Sequence, residues 1–115
     1  MNGKFFGGKM STSREYILFV CDQLNGINGV EYKKMFGEYM VYVNERPVLL
    51  VCDNCVMVKE VPQLAELMKD AEERVPYDGA KAHYVLDIEN RELTEAVVRI
   101  LAEITPVPKR RKPKA

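Results

Sequence analysis

The sequence predicts an α+β domain: an antiparallel sheet of about five strands carrying helices on one face, in two layers. Three observations predict it. Strand-like segments follow one another between Val30 and Lys59 with gaps short enough for hairpins. Segments with helical spacing stand at both ends of that run. The chain has 115 residues, 47% hydrophobic and 30% charged, which is one ordinary globular domain able to bury a core without disulfides.

The predicted order is helix, four strands, helix, strand, helix. The first helix starts at "STSRE", where Thr12 and Glu15 have capping-box spacing. Tyr16, Ile17, Val20, Cys21 and Leu24 form its apolar stripe, widened by Leu18 and Phe19, and Asn25-Gly26 ends it through a left-handed glycine cap. "VEYKKMF", "EYMVYVN", "PVLLVCD" and "CVMVK" are the four strands, with Gly37, Asn44-Glu45-Arg46 and Asp53-Asn54 between them. Gly37 reads as a permissive turn residue, and Met35 and Phe36 as core. A second helix opens at Pro62, with Leu64, Leu67, Met68 and Ala71 as its stripe. "VPYDGAK" is a loop and "HYVLDI" a fifth strand. Asn90 caps a last helix whose apolar face is Leu93, Ala96, Val97, Ile100, Leu101 and Ile104, stopped by Pro106 and Pro108.

Seventeen basic residues balance seventeen acidic ones, but unevenly. Residues 106–115 hold five basic residues and no acid, which leaves twelve basic against seventeen acidic in the rest. The domain is therefore drawn at 11–105, with a flexible extension at 1–10, where Met10 offers a second start, and a basic disordered tail at 106–115. Three cysteines, an odd number, do not suggest a disulfide framework, and no apolar run approaches the length of a membrane span; a reducing, cytoplasmic location is expected.

Cys52 and Cys55 form a CxxC that, with Cys21 and His83, could supply a Cys₃His zinc site. The preferred reading is structural: Asp53-Asn54 makes a hairpin turn that sets the two cysteines opposite each other as small buried side chains, and Cys21 and His83 stand alone. A thioredoxin-like role fits less well, because that motif opens a helix. His83 has no nucleophile with an orienting third residue, the acidic residues form no acid–base motif, and no phosphate-binding or dinucleotide fingerprint occurs. No catalytic residue, metal or cofactor is expected. "KRRKPK" reads equally well as a solubilising tail and as a phosphate-neutralising one, through Lys109, Arg110, Arg111, Lys112 and Lys114. Lys33 and Lys34, adjacent on one strand, should point to opposite faces.

The strands themselves carry the strongest signal. Tyr39, Val41 and Val43 face one way and Met40 and Tyr42 the other; Val48, Leu50 and Cys52 oppose Leu49 and Val51. Both sheet faces are thus apolar, where a two-layer domain should present one to water. The second face is covered by another segment of the chain or by a partner, and a partner, such as a second copy, is favoured.

"YKKMFGEYMVYVNERPVLLVCDNCVMVK" resembles the N-terminal domain of the TfoX (Sxy) family, through Met35, Phe36, Gly37, Tyr39, Tyr42 and Lys59. "PYDGAKAHYVLD" is similar to that family's second signature, through Tyr77, Gly79, Ala80, Lys81 and Tyr84, so the resemblance covers roughly 13–105. It implies an α+β domain, no established catalytic residues, and a link to bacterial competence regulation, in which such proteins act as transcriptional coactivators. Competence regulators of the family carry a second, C-terminal domain; this sequence resembles the stand-alone form. The expected function is a non-catalytic regulatory or interaction module. It would dock a protein partner, in transcription or a second copy, through Tyr39, Met40, Tyr42, Lys59, Tyr77 and Gly79. The alternatives are a nucleic-acid-associated protein acting through the tail, and a small-molecule binder with a pocket near Lys59 and Tyr77.

Overall fold

The computed structural model describes residues 12–35 and 38–108. Its elements are α1 (Arg14–Gln23), β1 (Val30–Met35), β2 (Glu38–Val43), β3 (Arg46–Cys52), β4 (Cys55–Lys59), β5 (Glu73–Arg74), β6 (His83–Val85) and α2 (Arg91–Ile104). The class is α+β as expected, with six strands in one antiparallel sheet, ordered β1-β2-β3-β4-β6-β5. Among the described residues no helix is long and apolar enough to cross a membrane.

The hairpins follow from their turn residues. Asn44 and Glu45 have φ of 50° and 71°, and Asp53 and Asn54 have φ of 52° and 54°. Two successive left-handed residues make the turn whose twist matches that of paired strands, and Asn and Asp tolerate it. β1 and β2 face each other from Met35↔Glu38 onward, but Phe36 and Gly37 lie outside the described residues, and the reading of Gly37 as their turn with them. Between β2 and β3 the register shifts: Val41 faces Leu49 and Tyr42 faces Pro47, which leaves Val48 as a bulge residue.

Several local expectations are corrected. Ser13, not Thr12, caps α1, its hydroxyl accepting from the Tyr16 N–H at 3.1 Å. Thr12 is buried and tied to the β3–β4 turn, accepting from the Asn54 N–H at 3.1 Å with its own hydroxyl 3.3 Å from the Val51 carbonyl. Gly26 is not left-handed; α1 ends through short-range turns at Leu24 and Asn25, and the left-handed residue is Gly29, at φ 82°. A side chain at Gly29 would collide with Asn44, whose N–H donates to the Gly29 carbonyl. Leu18 points to solvent rather than widening the apolar stripe.

The helix predicted from Pro62 is a single 3₁₀ turn, Pro62–Leu64, followed by further turns. Of its expected stripe only Leu64 and Met68 are buried, and Leu67 is exposed. Leu64 sits in that turn and Met68 in the turns after it, and a short helix without more packing is marginal. β6 stops at Val85 rather than Ile88; Leu86 still donates its N–H to the Val56 carbonyl of β4, and Leu86 and Ile88 are buried in the core. α2 keeps its expected ends, Asn90 accepting from the Leu93 N–H at 3.1 Å and Thr105, before Pro106, being extended, but of its expected stripe only Val97 and Leu101 are buried, Leu93, Ala96 and Ile100 are half-buried, and Ile104 is exposed. Its buried face is Thr94, Val97, Val98 and Leu101.

The core lies between the helices and one sheet face. Ile17 and Val20 of α1, Leu24 just after it, and Val97, Val98 and Leu101 of α2 join Tyr39, Val41, Leu49, Val51, Val56 and Val58 in one cluster. The alternation read from β2 is observed, with Tyr39, Val41 and Val43 buried and Met40 and Tyr42 half-buried.

Candidate functional site

The opposite sheet face is built by register. Lys33 faces Met40, Met40 faces Leu50, Leu50 faces Met57 and Met57 faces Val85. Facing residues in antiparallel strands share a side, so this row crosses five strands on the face away from the core. Two residues further along, on the same face, Lys59 faces His83. Lys33 and Lys34 therefore divide between the two faces, as their adjacency requires.

Along this face runs an open groove of about 740 Å³. Met35, Met40, Leu50 and Met57 line it from the sheet, and Tyr77, Ala80, Lys81 and Ala82 from the loop between β5 and β6. Lys59, Glu60, Val61 and His83 form another part of its wall, and Pro47, Val48, Leu101 and Thr105 complete it. The cover is unequal. Met57 is 2% exposed, whereas Met40 and Leu50 are half-buried and the Tyr77 ring is 59% exposed. Among the described residues the second face is thus only partly covered.

The charged groups lining the groove are two lysines, Lys59 and Lys81, and one carboxyl, Glu60, beside His83. Lys59 and Lys81 are exposed, and among the described residues the ion pairs are Glu66–Lys69, Glu72–Arg74 and Glu95–Arg99, none of which includes either lysine. His83 Nδ1 lies 2.9 Å from the Lys81 carbonyl, so its N–H donates there and ties the loop to β6. Loss of hydration, then the Glu73 carboxylate and a hydrogen bond with it, push the Glu60 carboxyl above its ordinary value, while His83 pulls it down. At one end of the row the Lys33 ammonium stands 5.3 Å from the centre of the Tyr42 ring.

Of the residues proposed from sequence for partner binding, Met40, Lys59 and Tyr77 meet in this groove. Tyr42 is on the same face beneath Lys33, outside the groove lining. Tyr39 is on the other face, in the core, edge-on to Tyr32 at 5.6 Å. Gly79 is left-handed at φ 86° with open space around it, and shapes the loop without lining the groove. Lys109, Arg110, Arg111, Lys112 and Lys114 lie outside the described residues. Met35, Leu50, Met57 and Lys81 were not among the residues expected; Met35 and Met57 share strand parity with Lys33 and Lys59, but only cross-strand register reveals their common face.

Cys52 and Cys55 face each other across the Asp53-Asn54 turn, as read from sequence. His83 pairs with the far end of β4, about 13 Å along the strand from Cys55 at the usual rise. Among the described residues no three His, Cys, Asp or Glu side chains are grouped to hold a metal ion. Burial pushes the Cys21 and Cys55 thiols up, away from the reactive thiolate, although Arg74 opposes this at Cys55. Burial likewise raises the Tyr16 hydroxyl, with the neighbouring Cys55, Glu89 and Asp87 adding to it.

The family model described as the TfoX N-terminal domain matches residues 22–106. The chain is also 36% identical over 107 residues to the uncharacterized 12.7 kDa protein in the trpE 5′ region of Spirochaeta aurantia, covering 91% of this chain and 93% of that protein.

Proposed function

Given that the chain belongs to the TfoX N-terminal domain family, we propose that it is a non-catalytic bacterial interaction module that docks a protein partner through the outer face of its sheet. One observation carries this reading: a groove with a floor of Met35, Met40, Leu50 and Met57 stays open on the face away from the core. The Cys21 and Cys55 thiols are held toward their unreactive form, and His83 uses one ring nitrogen to brace a loop, which gives little basis for catalysis there. A cytoplasmic place and a role in transcription or competence regulation accord with the family. The test uses the full chain as bait beside a Met40→Asp variant whose melting is checked first. A protein retained stoichiometrically by the parent and lost by the folded variant supports docking. Equal retention by both sinks it.

A second reading rests on the five basic residues of 106–115. They would contact nucleic-acid phosphates, with affinity falling steeply as salt rises. Deleting 106–115 should then abolish binding to a DNA duplex; binding that survives the deletion unchanged refutes the tail as its source.

A further inference from the structure

We infer that the groove takes an acidic amphipathic helix, two to three turns long, from a partner protein. This rests on the docking reading and adds to it the chemistry of the partner.

Shape argues for a helix. The floor from Met35 on β1 to Met57 on β4 crosses three strand spacings. That is about 14 Å, the length of about nine or ten helical residues. An extended peptide would instead add to a sheet edge. One edge, β5, has only two residues, and the other, β1, carries exposed Glu31, Lys33 and Lys34, which discourage strand addition. Methionine side chains adapt to the ridges of a helix presenting apolar anchors at i, i+3 or i+4, and i+7.

Charge argues for acid. Outside residues 106–115 the chain has twelve basic residues against seventeen acidic ones. Yet Lys59 and Lys81 both line this groove without an ion pair among the described residues, and Lys33 closes the row at its other end. One carboxyl, Glu60, also lines the groove, with Glu73 and His83 close enough to bear on its charge. An acidic helix is repelled by most of the body and attracted here, which confers register and selectivity beyond affinity.

The test selects a displayed library of random 16-residue peptides on the full chain. Enriched peptides are then titrated by fluorescence anisotropy against the parent, Lys59→Glu/Lys81→Glu and Tyr77→Ala. Both variants alter exposed side chains, so folding should survive. Enriched peptides should carry Asp or Glu beside helically spaced apolar residues, and the double reversal should weaken them by about ten-fold or more. Tyr77→Ala should weaken them too. Peptides that need Tyr77 but show no acidic bias and ignore the charge reversal would overturn the acidic partner and leave docking standing. Peptides indifferent to both variants would overturn docking as well. Two further results overturn the helix as occupant: dodecanoate raising the melting temperature in a Lys59- and Lys81-dependent way while no peptide is selected, or a sedimenting dimer that Tyr77→Ala dissociates.

Discussion

The two faces of the sheet are made of similar side chains and live in different surroundings. On one, Tyr39, Val41, Leu49, Val51, Val56 and Val58 are sealed by α1 and α2. On the other, Met40 and Leu50 are only half-buried, although their neighbours in sequence are inside. The first face uses branched and aromatic side chains with few rotamers; the second has three methionines, Met35, Met40 and Met57, in its groove. Stiff side chains suit a permanent, unique packing, and flexible thioethers suit a contact that forms and dissolves. The difference teaches that apolar content alone does not separate core from docking surface; what covers each face does.

The largest expected effect contrasts two adjacent leucines. Leu49 is fully buried, so Leu49→Ala should cost about 2–5 kcal/mol in urea unfolding. Leu50→Ala, on the half-buried side, should cost only about 1 kcal/mol. Equal losses would erase the distinction between the faces. Next comes the link between α1 and the β3–β4 turn. Thr12→Val removes the acceptor of the Asn54 N–H and should cost about 1–3 kcal/mol by the same measurement.

Tyr77→Ala should change stability by less than about 0.5 kcal/mol, since the ring is largely in solvent. A substantial loss would show that the loop holds the fold together and does not simply border a groove. The smallest effect concerns Glu60. Its carboxyl is raised in the fold, so the stability linked to its protonation is present below the ordinary carboxylate range and lost as pH rises through the folded value. Glu60→Gln should therefore raise the melting temperature relative to the parent near neutral pH, and the gain should shrink at about pH 4. A gain independent of pH would mean that Glu73 and Glu60 do not repel each other.

Much of the fold was legible because its signals are local. Asn44-Glu45 and Asp53-Asn54 announce hairpins whatever surrounds them, Asn90 announces a helix start, and the alternation of Tyr39, Val41 and Val43 against Met40 and Tyr42 separates two faces. Where local signals compete, the reading slipped. Thr12 and Ser13 are both good caps, and only the contact with Asn54 and Val51 draws Thr12 inward. Leu64 and Met68 have helical spacing and are both buried, but only Pro62–Leu64 forms a helical turn and Met68 sits in the turns after it. Glu73–Arg74 is two exposed charged residues, a strand only because β6 lies beside it. Within the candidate site, Met40, Lys59 and Tyr77 were named from sequence, and Tyr39 was placed with them although its parity assigns it to the core.

By itself the sequence determined the α+β class, the chain of hairpins and the presence of two apolar strand faces, since periodicity and turn chemistry act over a few residues. Tertiary structure decided which face the helices close over, and so which apolar row remains a groove. It also decided that Lys59 on β4 and the loop residues Tyr77 and Lys81, on separate segments of the chain, border one row of methionines. The physical reason is that alternation is symmetric: it separates inside from outside only after register and helix packing, which join distant residues, have chosen a side.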